Sequence, residues 1–124
     1  GFLEFYEFMR DQGVTMVICS GGTREHVELV LQRMNLPSLP IISREDYEHP
    51  KPSPDCYVGG LHYLKAPAQE VLAFDDAYTG VAAAKRAGCR VVAINSEYEE
   101  GIDELSPDWK VHSYKDLDFE WLLE

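Results

Sequence analysis

Val71-Leu72-Ala73-Phe74-Asp75-Asp76-Ala77-Tyr78-Thr79-Gly80 is the stretch that decides the fold of this chain. Its apolar run, Val71–Phe74, is continuous rather than alternating. A run that short and continuous suits a strand buried on both faces of a parallel sheet. Two carboxylates close it. The alanine-rich Thr79–Ala87 that follows predicts a helix, with Gly88 as its C-terminal glycine. Strand, polar turn and helix together make the repeating unit of an α/β fold.

The same unit recurs on both sides. Apolar runs stand at Val14–Cys19 and Leu39–Ile42 before it, and at Val91–Ile94 and, more weakly, Trp109–His112 after it. Helical spacing fills the intervals. Phe2–Asp11 sets Phe2, Phe5, Tyr6 and Met9 at helical intervals and stops at Gly13. Thr23–Met34 puts Val27, Val30, Leu31 and Met34 on one stripe, with Thr23 as N-cap. Ser53-Pro54 reads as an N-cap and first-turn proline opening a helix to about Tyr63. Ser113 with Asp116 three residues on forms a capping box for a last helix through Leu123. The acidic, turn-rich stretch 95–108 reads as a surface loop. Alternation of this kind predicts a parallel sheet covered by helices on both faces. No linker or repeat divides the chain, so residues 1–124 read as a single domain.

The chain has 124 residues, 11 Lys+Arg and 22 Asp+Glu, a net charge of −11. A chain this long buries roughly two-thirds of its unfolded surface, enough for a core without metal or disulfide staples. The charge argues against a nucleic-acid backbone or an anionic membrane as partner. No apolar run approaches the roughly 20 residues of a membrane span. Cys19, Cys56 and Cys89 are odd in number and widely spaced, and read as reduced thiols of a cytoplasmic protein. His26, His49, His62 and His112 show no zinc spacing.

In open α/β sheets ligands sit at the carboxyl ends of the strands. Ser20-Gly21-Gly22-Thr23 follows the first run, and Lys51, in His49-Pro50-Lys51-Pro52-Ser53-Pro54, follows the second. Asp75 and Asp76 follow the third, Asn95 and Ser96 the fourth. Singly, these are a capped turn, a solvated lysine and a loop carboxylate pair. Together, each after a strand, they describe one site. Ser20 and the Gly21 amide offer an anion cradle before a helix. Lys51 supplies a point charge. Asp75 and Asp76 are hard oxygen ligands suited to Mg2+. Such a set would take a metal-assisted phosphoryl group. Arg24, just past the Ser20 turn, reads as a solvated first-turn residue or a further substrate contact.

These motifs resemble those of the haloacid dehalogenase superfamily of phosphohydrolases, most closely the branch with β-phosphoglucomutase and phosphoglycolate phosphatase. Three stretches carry the likeness: Met16-Val17-Ile18-Cys19-Ser20-Gly21, Lys51-Pro52-Ser53-Pro54-Asp55-Cys56-Tyr57, and Val71–Gly80 running into Ala82–Gly88. The resemblance implies a three-layer Rossmann-like core. It implies that Ser20 and Gly21 hold phosphoryl oxygens and that Lys51 bridges phosphate and a nucleophilic carboxylate. It implies Mg2+ on Asp76 directly, and on Asp75 directly or through water. A receiver domain uses similar groups, but with the acidic pair first and Lys-Pro last; here the order is Ser, Lys, Asp-Asp.

The family's first motif, a strand followed by Asp-x-Asp, has no match here, nor does the inserted cap. Asp116-Leu117-Asp118-Phe119 has the form, but no buried strand precedes it, and it reads as a capped surface segment. The resemblance places the missing strand in the middle of the sheet, between the strands ending at Ser20 and Phe74. Without it both would expose unpaired backbone edges, favouring self-association through a central edge. With Gly1 in place of Met, the expectation is the C-terminal part of a longer phosphatase. That enzyme would act on a small phosphomonoester through an aspartyl-phosphate, and its nucleophile would come from other sequence. The alternative is a non-catalytic, truncated scaffold that binds phosphate or a protein partner.

Overall fold

The computed structural model describes residues 1–97 and 99–123. Helix α1 (Phe2–Asp11) leads into strand β1 (Ile18–Cys19), helix α2 (Arg24–Arg33) and strand β2 (Ile41–Ile42). Helix α3 (Asp55–Leu64), strand β3 (Leu72–Asp75), helix α4 (Tyr78–Ala87) and strand β4 (Arg90–Ile94) follow. Strand β5 (Trp109–Val111) and the short helix α5 (Phe119–Leu122) complete the order. All strand pairings are parallel, in two sheets ordered β2-β1 and β3-β4-β5.

The caps fall where local chemistry puts them. Thr23 Oγ1 accepts the His26 amide at 3.2 Å. Gly88 takes the left-handed conformation, φ 91°, that closes α4 without a Cβ clash. Ser113 and Asp116 form the expected box, but it caps a 3-10 turn over Tyr114–Asp116, not one long helix. The chain there passes through an extended Leu117 before α5 begins. The third helix starts at Asp55 with Pro54 as its cap, one residue later than Ser53 suggests.

Alternation along each strand builds three layers. Ile18 and Ile41 join Tyr6 of α1 and Val27 and Leu31 of α2 in one cluster. Cys19 and Ile42 face α3 on the opposite side. A Cβ on Gly60 would lie 2.7 Å from Cys19 Sγ, and one on Gly59 3.2 Å from Ile42 Cγ2. Those two glycines are what let α3 approach the sheet so closely. In the larger sheet, Ala73, Val91 and Ala93 pack with Val81, Ala83 and Ala84 of α4 and Tyr57 of α3. Phe74 points the other way, against Phe5 of α1 and Tyr114, with ring centroids 4.9 and 5.6 Å apart. Val81, Val91 and Val92 are fully buried.

Three expectations need correction. Only Val27 and Leu31 of the α2 stripe are buried, while Val30 and Met34 are exposed, because α2 covers a sheet of just two short strands. Strands β1 and β2 pair over two residues each, shorter than the apolar runs Val14–Cys19 and Leu39–Ile42 that contain them. The stretch 95–108 is not all surface: its 3-10 turn Ile102–Leu105 plugs Ile102 into the core beside α4.

Among the described residues, β1 pairs with β2 alone and β3 with β4 alone. The sheet is therefore open between the strands ending at Cys19 and Asp75, the place where a central strand was expected to be missing.

Candidate functional site

At the carboxyl ends of β1 and β3 this opening widens into a cleft of about 690 Å3. Ser20, Gly21, Lys51, Asp75 and Asp76 all line it. The strand ends picked out from sequence thus converge. Asn95, Ser113, His112 and Tyr114 complete the wall opposite β1.

The first rim is the turn after β1. Ser20 Oγ accepts the Gly22 amide at 2.9 Å, which leaves its own O–H free to donate. The Ser20 carbonyl is held by the Tyr47 hydroxyl at 2.9 Å and the Cys56 thiol at 3.8 Å. A Cβ on Gly21 would meet nothing within 4 Å, so the backbone there is open to a ligand. Helix α2 starts at Arg24, which aims its positive end toward this turn. Arg24 itself is engaged elsewhere: its guanidinium donates to Asp46 at 2.8 Å and to the Ile41 carbonyl at 3.0 Å.

The second rim is the lysine loop. Asp55 accepts the His49 amide at 3.0 Å, and Arg86 of α4 donates to the Pro52 carbonyl at 3.0 Å. So braced, Lys51 reaches across the opening. Its Nζ donates to Asp75 Oδ2 at 2.8 Å and lies 3.5 Å from the Cys19 carbonyl. It thereby links the two sheets.

The third rim is the acidic pair, and its two members differ. Asp75 points toward α4 and α3, and its side chain is 10% exposed. Oδ2 also accepts the Tyr57 hydroxyl at 2.5 Å, and Oδ1 accepts the Ala77 amide at 3.2 Å. Gly80 leaves the room for this: a Cβ there would stand 2.1 Å from all three carboxyl atoms. Asp76 is exposed on the cleft, and among the described residues its carboxylate takes no hydrogen bond or ion pair. Tyr57 and Gly80 lie within the lysine and acidic motifs, but their contacts with Asp75 form only in the fold. Tyr47 gave no local signal, because it acts on a loop 27 residues away.

Burial, then the charge of Asp75, pushes the Tyr57 phenol far up, so it stays a donor. Burial, then Asp75 and Asp76, pushes Tyr114 up to about 12. Behind the Ser20 turn the hydrogen bond from Cys19 draws Cys56 down to about 7, while Cys19 is pushed up by the same bond and by burial. The three cysteines are free thiols.

No group of three or more His, Cys, Asp or Glu that could hold a metal ion occurs among the described residues. Mg2+ does not require one. It keeps several waters and takes one or two carboxylates plus substrate phosphate. The open Asp76 carboxylate fits that donor chemistry, whereas Asp75 already carries three donors. Asp116 and Asp118 are exposed and are not part of the cleft lining, with Asp116 capping the Ser113 amide at 3.1 Å.

Known proteins match this arrangement. The chain is 32% identical over 116 residues to protein CbbY of Rhodobacter capsulatus, covering 90% of this chain and 51% of that one. It is 27% identical to hexitol phosphatase A of Escherichia coli, covering 77% of this chain and 45% of that one. The crystal structure of CbbY from Rhodobacter sphaeroides in complex with phosphate superposes with a TM-score of 0.85 at 22% identity. That match covers 95% of this chain and 55% of the other. The chain thus spans about half the length of the curated relatives it matches. The family model described as haloacid dehalogenase-like hydrolase matches residues 1–88. With its strand ends, lysine loop and acidic pair gathered on one cleft, the chain belongs to the haloacid dehalogenase-like hydrolase family.

Proposed function

We propose that these residues form the phosphate-binding part of a Mg2+-dependent phosphohydrolase site that acts on a small phosphomonoester. One observation carries the reading: Ser20, Gly21, Lys51 and Asp76, far apart in sequence, line one cleft at the carboxyl ends of a parallel sheet. The Ser20 hydroxyl and the turn at the start of α2 hold phosphoryl oxygens, and Lys51 donates its remaining N–H to them. Asp76 holds Mg2+, which when bound offsets charge on the phosphoryl group.

The attacking group comes from outside these residues. Asp75 lines the cleft but is tied up by three donors, Lys51, Tyr57 and the Ala77 amide, and Asp76 is the open acidic carboxylate on the cleft wall. The opening between β1 and β3 is where a further strand would bring a nucleophilic carboxylate to the phosphorus. That carboxylate attacks in line, the ester oxygen leaves, and water cleaves the aspartyl-phosphate. The similarity to hexitol phosphatase A supports a phosphatase that takes a small phosphorylated substrate.

The test is hydrolysis of an aryl phosphate by the intact natural protein that contains these residues, with and without Mg2+. Asp76→Asn should abolish Mg2+-dependent turnover. Turnover unaltered by Asp76→Asn would sink the assignment. A natural mass equal to 14.1 kDa, with no turnover, would favour a phosphate-binding scaffold without catalysis.

A further inference from the structure

We propose that Tyr57 is the positioning residue of this site. It locks Asp75 onto Lys51, so that Asp75 serves the lysine and the metal falls to Asp76 alone. The inference rests on the function proposed above and assigns two of its residues different work.

Tyr57 holds the pair with two separate handles. Its hydroxyl donates to Asp75 Oδ2 at 2.5 Å, the same oxygen that takes the Lys51 ammonium at 2.8 Å. The face of its ring lies 5.0 Å beneath Lys51 Nζ, within reach of a cation–π contact. The ring is itself fixed: Tyr57 is 8% exposed, within the core cluster of α4 and β3–β4. Ala77 N–H takes the other oxygen of Asp75 at 3.2 Å, and the bare Cα of Gly80 gives the carboxylate its seat. A carboxylate in that seat with three donors has little capacity left for a cation.

The lysine is left usefully short of partners. An ammonium has three N–H donors. One is committed to Asp75, and one points at best weakly to the Cys19 carbonyl, 3.5 Å away. The third remains for the cleft that Lys51 lines. Tyr57 thus decides where a positive charge stands without touching the phosphoryl group. Outer partners that orient a metal ligand change affinity or activity about 10–100-fold when removed, and an effect of that order is expected for a partner that orients a phosphate-binding lysine.

The experiment uses the intact natural protein and two variants, Tyr57→Phe and Tyr57→Leu. The first removes the hydroxyl and keeps the ring; the second removes both. Three quantities are measured: the Lys51 15Nζ resonance, the affinity for inorganic phosphate, and the affinity for Mg2+ alone. In Tyr57→Phe the Lys51 signal should broaden as the ammonium is released. Phosphate should bind about 10-fold more weakly, with Mg2+ affinity unchanged. Tyr57→Leu should lose more on phosphate. If it does not fold by circular dichroism, Tyr57→Phe carries the test. An unchanged Lys51 signal overturns the proposal. So does a loss of Mg2+ affinity in step with that of phosphate, which would make Asp75 a metal ligand. If the natural protein hydrolyses no phosphomonoester while its Lys51 signal responds to Tyr57→Phe, the phosphohydrolase function fails and the positioning role stands.

Discussion

Gly80→Ala sets two physical effects against each other, and the structure decides which wins. Gly80 lies in α4, where alanine is favoured over glycine by about 1 kcal/mol. Propensity alone therefore predicts a more stable protein. The new methyl, however, would stand 2.1 Å from Cγ, Oδ1 and Oδ2 of Asp75. That carboxylate cannot yield cheaply, because Lys51, Tyr57 and the Ala77 amide hold it. Moving it breaks at least two hydrogen bonds to a charged group, each contributing roughly 1.5–3 kcal/mol. Net of the helix gain, Gly80→Ala should destabilise by about 2–5 kcal/mol.

The assay is urea unfolding of the intact protein, read as a lower midpoint at unchanged slope. A double-mutant cycle isolates the cause. With Asp75→Ala already present the methyl has no carboxylate to strike, so the same substitution should stabilise by the helix gain of about 1 kcal/mol, a coupling of at least about 3 kcal/mol. Gly21→Ala serves as the control: its methyl meets nothing within 4 Å, and its effect should stay below about 0.5 kcal/mol. A Gly80→Ala protein as stable as the parent, or one equally destabilised without Asp75, would refute the reasoning.

Other outcomes follow from the same contacts. Val91→Ala removes two methyl groups from a fully buried site on β4 and should cost roughly 2–4 kcal/mol by urea unfolding. Tyr47 and Tyr114 are pushed up to about 12, chiefly by burial. A phenol raised on folding lends stability that is full below its unfolded value of about 10 and is lost as pH rises through the folded value. The urea midpoint should therefore fall between about pH 10 and 12, tracking phenolate absorbance near 295 nm. A midpoint flat over that window would count against their burial. Inorganic phosphate should bind more tightly with Mg2+ present, and Mg2+ more tightly with phosphate, by the same factor. Titration calorimetry in both orders checks that reciprocity.

Much of this was legible in the sequence because it depends on local chemistry. Continuous apolar runs marked the strands, Thr23 and Gly88 marked helix ends, and polar residues after strands marked the cleft. What escaped depends on groups that meet only in the fold. Nothing near Tyr57 says that its hydroxyl will find a carboxylate 18 residues away. Nothing in Asp75-Asp76 says that the neighbours will part, one turned inward to α4 and one outward to the cleft. Strand alternation does contain the answer. Asp75 follows Ala73 on the α4 side and Asp76 continues the Phe74 side, but that reading requires knowing which face each layer covers.

The charge of the site follows from that division. The protein carries −11 overall, a poor setting for an anion. Were Asp75 and Asp76 both open to the cleft, Lys51 would face two negative charges, and a phosphate would meet a net repulsive wall. Drawing Asp75 inward keeps that sum but takes one negative charge off the open face of the wall. Its charge is neutralised locally by Lys51 at 2.8 Å and shared with Tyr57, and the pair stands as a neutral unit largely out of solvent. One open carboxylate then remains on the cleft lining among the described residues, Asp76, which shares the cleft with Ser20 and Gly21 of the turn before α2. A single exposed negative charge in such surroundings is a place for a cation before it is a barrier to phosphate. The cost of burying Asp75 is met only while its donors stay in place. A site built this way therefore ties its charge balance to the packing of Tyr57 and Gly80, well away from any phosphate.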